Sequence, residues 1–331
     1  MHMSIRRAGG LLAVAALVLS ACSSAAATPS AAPSAAPSTA ASEAPSTAPS
    51  EAPTASESAA PTMVATVPDA ELITATRLTV CSDIPYPPQE FFDANGNPTG
   101  SDIDIGAEIA KRLGLTEAVN NTVFDTIIAA LQGSKCDIII SAQNITSDRI
   151  KQVDMIPFFQ AGQSFVVEAG NPKAINATTD LCGKTIGAET GTTEVNYLQG
   201  TGDYKGAGLT QDCTKAGSPA ITVKEFEKDS DALLALQGGH VDAYFADSPV
   251  AGYYTVQHAD QFALAPIAPL QPALEGISVP NDTGHKELRD GVQQALVSMI
   301  NDGTYLTILK KYGVDSGAVT ADVAGQINKI K

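Results

Sequence analysis

Positive charge is scarce in this chain. Its 331 residues carry 20 Lys and Arg against 36 Asp and Glu, a formal net charge of −16. From residue 71 onward 32 acidic side chains stand against 18 basic ones, leaving −14. A body this acidic repels phosphate backbones and anionic headgroups, which excludes nucleic acid as a partner. Histidine is also rare: His2, His240, His258 and His285 are scattered and share no ligand spacing with the cysteines, so no metal centre is expected. No phosphate loop is present, because Gly191-Thr192-Thr193 lacks the Gly-Lys-Ser/Thr ending, and no cofactor is expected. Long hydrophobic runs are missing too. The stretch from Leu11 to Leu19 is too short to span a bilayer as a mature helix.

That stretch follows Arg6 and Arg7 and leads into Leu19-Ser20-Ala21-Cys22, so residues 1–21 read as a secretory signal peptide. The quartet resembles the lipobox of bacterial lipoproteins, which implies lipidation at Cys22 and a membrane anchor. From 22 to 70 the chain is mostly Ala, Pro, Ser and Thr, a composition that buries no core and predicts an extended, disordered tether. Of the remaining cysteines, Cys182 and Cys213 flank one element of a secreted protein and are expected to pair. Cys81 ends one predicted strand and Cys136 begins another. If those strands are parallel neighbours, the offset of about four residues is ~13 Å, too far to bridge, and the two are expected as buried thiols.

The remainder alternates strand and helix. Asp137 to Ser141 holds three isoleucines, the short apolar run of a strand buried on both faces. Thr146, Ser147 and Asp148 then predict a helix start with Arg149 in its first turn. Further strands are predicted at Leu78–Ser82, Lys184–Glu189, Ile221–Phe226 and Val241–Ala246, and helices at Asp102–Leu113 and Asp229–Gln237. This is an α/β chain with largely parallel sheets. Four polar positions directly follow predicted parallel strands: Asp83, Ser141, Thr192 with Thr193, and Asp247. Ligands of open α/β sheets bind at the carboxyl ends of the strands, so the shared placement points to a binding site. Each residue also has a plain structural reading, as a turn, an N-cap or a solvated surface cation. Together they suit a zwitterion. Arg149, Ser141, the Asn144 amide and the Thr193 backbone N–H would take a carboxylate, Asp247 an ammonium, and Tyr86 and Phe124 would form apolar walls beside Ala142.

At Asp83–Pro88 (D-I-P-Y-P-P), Gly100–Asp104 (G-S-D-I-D), Phe124–Leu131 (F-D-T-I-I-A-A-L), Cys136–Arg149 (C-D-I-I-I-S-A-Q-N-I-T-S-D-R), Gly183–Thr193 (G-K-T-I-G-A-E-T-G-T-T), Val241–Asp247 (V-D-A-Y-F-A-D) and Asp302–Tyr305 (D-G-T-Y) the sequence resembles the extracytoplasmic amino-acid-binding proteins of bacterial ABC importers. The resemblance covers roughly residues 75 to 313. It implies a two-lobed clamp of the periplasmic-binding-protein type with two hinge crossings, lobe one being 71–160 with 270–331 and lobe two 161–269. It also implies that Arg149 grips the ligand's α-carboxylate, Asp247 its α-amino group, Tyr86 stacks on its side chain and Asp83 reads the tip. A carboxylate there favours arginine, lysine, histidine, glutamine or asparagine over an acidic ligand. Asn144, Gln89 and Ser101 depart from the family's usual Ser or Thr, Phe and aromatic residues. The implied protein is a monomeric binder, not an enzyme, delivering its ligand to ABC permease subunits. Two rivals keep the scaffold: a dehydratase of a cyclic carboxylic acid with Asp83 or Glu189 as general acid, and a partner-mediated sensor, since a sensor borne on its own chain is expected to carry a downstream membrane helix.

Overall fold

The computed structural model describes residues 63–330. The expected signal peptide, the lipidation at Cys22 and most of the tether lie outside that range. Among the described residues no helix is long and apolar enough to cross a membrane.

The first lobe opens with β1 (Arg77–Ser82), a small hairpin of β2 (Phe91–Phe92) and β3 (Pro98–Thr99), and then α1 (Ser101–Arg112). Helix α1 buries Ile103, Ile105 and Ile109, with Asp102 and Asp104 in its first turn and Lys111 and Arg112 in its last, as the helix dipole favours. It starts at Gly100 with φ +130°, where a Cβ would stand 2.1 Å from the Gln89 carbonyl oxygen, so only glycine lets the Gln89–Glu90 segment lie against the helix start. Strand β4 (Thr116–Asn121), α2 (Ile127–Gln132) and β5 (Ile138–Ile139) follow. Strand β6 (Asp154–Glu168) is 15 residues long, too long for one lobe, and leads into the second set. That set comprises β7 (Thr185–Glu189), α3 (Thr193–Gln199), α4 (Leu209–Lys215), β8 (Thr222–Phe226), α5 (Asp229–Gln237), β9 (Ala243–Asp247), α6 (Ser248–Gln257) and β10 (Phe262–Leu264). Strand β11 (Leu270–Val279) runs back, and α7 (Lys286–Asp302), α8 (Thr304–Lys311) and α9 (Ala321–Ala324) close the chain.

The strands order as β4-β1-β5-β11-β6-β9-β7-β8. Pairs β1–β4, β1–β5, β7–β8 and β7–β9 are parallel, whereas β6 and β11 pair antiparallel along most of their length and carry the chain between the lobes. Separate cores sit at the two ends. One joins Leu78, Val80, Ile105, Ile138, Ile156 and Phe158 to Ile277, Leu288, Leu296 and Leu309. The other lies on the two faces of the β6–β9–β7 region, with Phe165, Ile186, Leu198 and Phe245 on one side and Val166, Leu236, Tyr244 and Val250 on the other.

Two expectations need correction. Cys81 and Cys136 form a disulfide with their Cα atoms 5.6 Å apart. The ladder between β1 and β5 spans only Val80–Ile138 and Cys81–Ile139, so Cys136 precedes the strand and a strand rise does not describe its distance from Cys81. The Cys182–Cys213 disulfide forms as expected. The capped helix at Arg149 is a single 3-10 turn, Arg149–Lys151, because β6 begins at Asp154 and leaves no room for more. Asp148 makes no cap bond; the Arg149 N–H donates to Thr146 Oγ1 at 3.2 Å instead. The helix expected to start at this arginine is therefore absent.

Candidate functional site

The carboxyl ends of β1, β5, β7 and β9 meet at a cavity. All ten residues expected at a ligand site line it: Asp83 and Tyr86 after β1, Phe124 before α2, Ser141, Ala142, Asn144 and Arg149 after β5, Thr192 and Thr193 at the start of α3, and Asp247 at the end of β9. Glu90, Glu189 and Glu194 complete the lining. The wall therefore carries five carboxyl groups and one guanidinium.

At one end Arg149, 9 % exposed, donates to the backbone carbonyls of Asn144 at 2.8 Å and Gly191 at 3.0 Å rather than to a carboxylate. Its guanidinium stacks over the Phe124 ring, 5.2 Å from the centroid. Burial lowers its pKa to about 10, opposed by Glu194 and Asp247, so it keeps its proton at neutral pH. The Asn144 Oδ1 accepts from Thr193 Oγ1 at 2.7 Å, and Gln163 Nε2 donates to that hydroxyl at 2.8 Å. This chain turns the Asn144 amide so that Nδ2 is the end without a partner in the protein. A buried cation and an unpartnered donor, with no carboxylate bonded to either, have the chemistry to receive an anion.

On the same wall Asp247 Oδ2 accepts from the Tyr86 hydroxyl at 3.0 Å, while Oδ1 is buried without a partner, as is Glu194 Oε1. Burial, with the charges of Glu194 and Glu275, pushes the Asp247 carboxyl well above the usual carboxylate range. Burial raises Glu194 as well. Two carboxyl groups that resist ionisation together are relieved by an ammonium.

Some expected ligand contacts are engaged within the protein. The Ser141 hydroxyl donates to Glu90 Oε1 at 2.7 Å and accepts from the Asp83 N–H at 2.8 Å. Thr192 is the N-cap of α3, accepting from the Val195 N–H at 3.4 Å and donating to the Glu189 carbonyl at 2.7 Å. Tyr86 is not only an apolar wall, since its hydroxyl joins the lobes at Asp247. Asp83 Oδ2 accepts from the Phe124 N–H at 2.8 Å, and Oδ1 accepts from Lys228 Nζ across the lobe gap. Glu90, Glu194 and Lys228 are not among the residues the sequence marks for the site, and Glu189 is marked only as a general acid in the dehydratase reading. The Glu194 position beside Thr193 was a local signal available in the sequence; nothing local distinguishes Lys228.

Residues 78–315 match the model of a family described as bacterial extracellular solute-binding proteins, family 3. The putative ABC transporter arginine-binding protein 2 of Escherichia coli (strain K12) is 25 % identical over 240 residues, covering 72 % of this chain and 91 % of that one. A solved ancestral arginine-binding protein bound to arginine is 34 % identical with a TM-score of 0.61, covering 72 % of this chain and 98 % of its own. A solved ancestral amino acid-binding protein, a precursor of cyclohexadienyl dehydratase, is 30 % identical with a TM-score of 0.62, covering 72 % and 95 %.

Proposed function

The chain belongs to the bacterial extracellular solute-binding proteins, family 3, and from that premise we propose that it captures a free polar or basic L-amino acid between its lobes and delivers it to an ABC import permease. The observation that carries this reading is the meeting, in one cavity, of a carboxylate-free Arg149 and an unpartnered Asn144 Nδ2 with the unpartnered oxygens of Asp247 and Glu194. Arg149 and Asn144 hold the α-carboxylate; Asp247 and Glu194 hold the α-ammonium. The side chain then points toward Asp83, Glu90 and Glu189; burial holds the two glutamates protonated, so the charge that selects against acidic ligands is that of Asp83. The arms of the clamp are assigned as 71–160 with 270–331 and as 161–269, hinged on β6 and β11. Ligand contacts from both arms draw the population toward the closed form, the shape a permease would engage. Cys22 supplies the lipid anchor on the outer side of the membrane, and the binder works as a monomer. The similarity to arginine-binding proteins supports capture over catalysis.

A thermal-shift screen against the twenty amino acids, followed by calorimetry on the hits, tests this directly. Ligand at a hundred times its Kd stabilises the fold by roughly 2.7 kcal/mol, so a basic or amide amino acid should raise the melting temperature while glutamate and aspartate leave it unchanged. No shift with any of the twenty would refute the reading.

A further inference from the structure

Asp83, on the cavity wall, already has a cation of the chain at its carboxylate. Lys228 is the residue that precedes α5 in lobe two, and its Nζ reaches across the gap to Asp83 Oδ1, at the end of β1 in lobe one. It also lies 3.5 Å from the Ile84 carbonyl oxygen. The other Asp83 oxygen is held by the Phe124 N–H at 2.8 Å, so both oxygens of this carboxylate are engaged. Glu189, 6 % exposed, stands beside the pair and lines the same cavity. Asp83 is almost wholly enclosed, whereas the lysine side chain is 25 % exposed and has a path back to water. The arrangement is asymmetric: a fixed carboxylate and a cation on a retractable tether.

We propose that Lys228 is a built-in competitor for the cationic end of the ligand, and that it sets how strongly the site prefers a charged side chain over a neutral one of the same shape. This rests on the amino-acid reading above. A guanidinium or ammonium arriving at Asp83 must displace Lys228, and the affinity for such a ligand is reduced in proportion to the fraction of time the lysine is away. A neutral side chain carries no charge to be repelled and can accept a hydrogen bond from the same Nζ. Removing the lysine charge therefore tightens one class of ligand and leaves the other unchanged or weaker.

The test is calorimetry with L-arginine and L-citrulline, which share length and outline but differ in charge, on the full chain and on Lys228→Met, which keeps the aliphatic stem. Arginine should tighten by roughly five- to tenfold in Lys228→Met, as expected for loss of a partly buried competing ion pair, while citrulline holds or weakens. A wild-type chain that binds citrulline alone should acquire arginine binding in the variant. Lys228→Arg keeps the competing charge and should preserve the wild-type ratio of the two affinities. If the ratio in Lys228→Met equals that of the wild type, or arginine weakens, the proposal fails while the amino-acid reading stands. If the wild type binds no amino acid at all, that reading fails first and this one with it.

Discussion

The Tyr86 hydroxyl lies 3.0 Å from Asp247 Oδ2, to which it donates, and 3.0 Å from the Asp247 backbone nitrogen, from which it accepts. One tyrosine from the first lobe thus makes two hydrogen bonds to one residue of the second, at the acid that should hold the ligand's amine. Tyr86→Phe leaves a buried N–H and a carboxylate oxygen without their partner. Each such loss costs about 1–2 kcal/mol, so calorimetry should show amino-acid affinity weakened by roughly tenfold or more. Circular dichroism should show the fold unchanged, because the ring still packs with Ala142 and the Tyr244 cluster.

Arg149→Ala and Asp247→Ala should each weaken binding by more than about a hundredfold, since either leaves one ligand charge unpaired in a dry cleft. Arg149→Lys should recover little, because an ammonium cannot present the planar fork that now spans the Asn144 and Gly191 carbonyls. An unchanged affinity in Arg149→Ala or Asp247→Ala would remove the basis of the zwitterion model.

Binding should release protons. In the free protein, burial holds the Asp247 and Glu194 carboxyl groups above the ordinary carboxylate range, and the Glu194 charge adds to this at Asp247. The ligand's ammonium favours their ionised forms, so protons leave as it enters and affinity rises with pH through the range where these groups titrate. Titrations at one pH in buffers of different ionisation enthalpy should give different apparent heats. Identical heats in all buffers would contradict this assignment.

How much of the site could be read beforehand follows from the range of each interaction. Asp83, Ser141, Thr193 and Asp247 each follow a strand within their own segment, and the rule that ligands sit at strand ends needs only that local order. Lys228 meets Asp83 across 145 positions and two lobes, and its own neighbours in sequence mark it as an ordinary residue preceding a helix. The strand and helix alternation was legible for the same local reason, with α5 placed as expected over Asp229–Gln237. The helix at Arg149 was misread because capping residues promise a start but say nothing of how soon the next strand begins. The Cys81–Cys136 pair was misjudged because Cys136 precedes the ladder instead of standing in it.

That disulfide joins residues 55 apart in sequence. Closing a loop of this length restricts the unfolded chain by roughly 4 kcal/mol in the chain-entropy treatment. Cys81→Ala with Cys136→Ala should therefore lower the melting temperature by about 5–15 °C for a protein of this size. Peptide mapping without reductant should recover the linked peptides from the wild type. Free thiols at both positions in protein purified under oxidising conditions would count against the bridge.

Glu117 offers a test of stability away from the site. It stands on β4 with Oε1 buried and unpartnered, and burial with the nearby Asp104 charge raises its pKa to about 8. A carboxyl whose folded pKa exceeds its unfolded one contributes its full stabilisation below the unfolded value, near 4.5, and loses it as pH climbs toward 8. Glu117→Gln stays neutral throughout and removes this slope. The two proteins should melt together near pH 4. At pH 8 the variant should be the more stable, by about 1–2 kcal/mol once partial solvent screening is allowed for, or roughly 2–8 °C. Scanning calorimetry at both values reads the difference, and a gap that is the same at pH 4 and pH 8 would show that the Glu117 charge is not its cause.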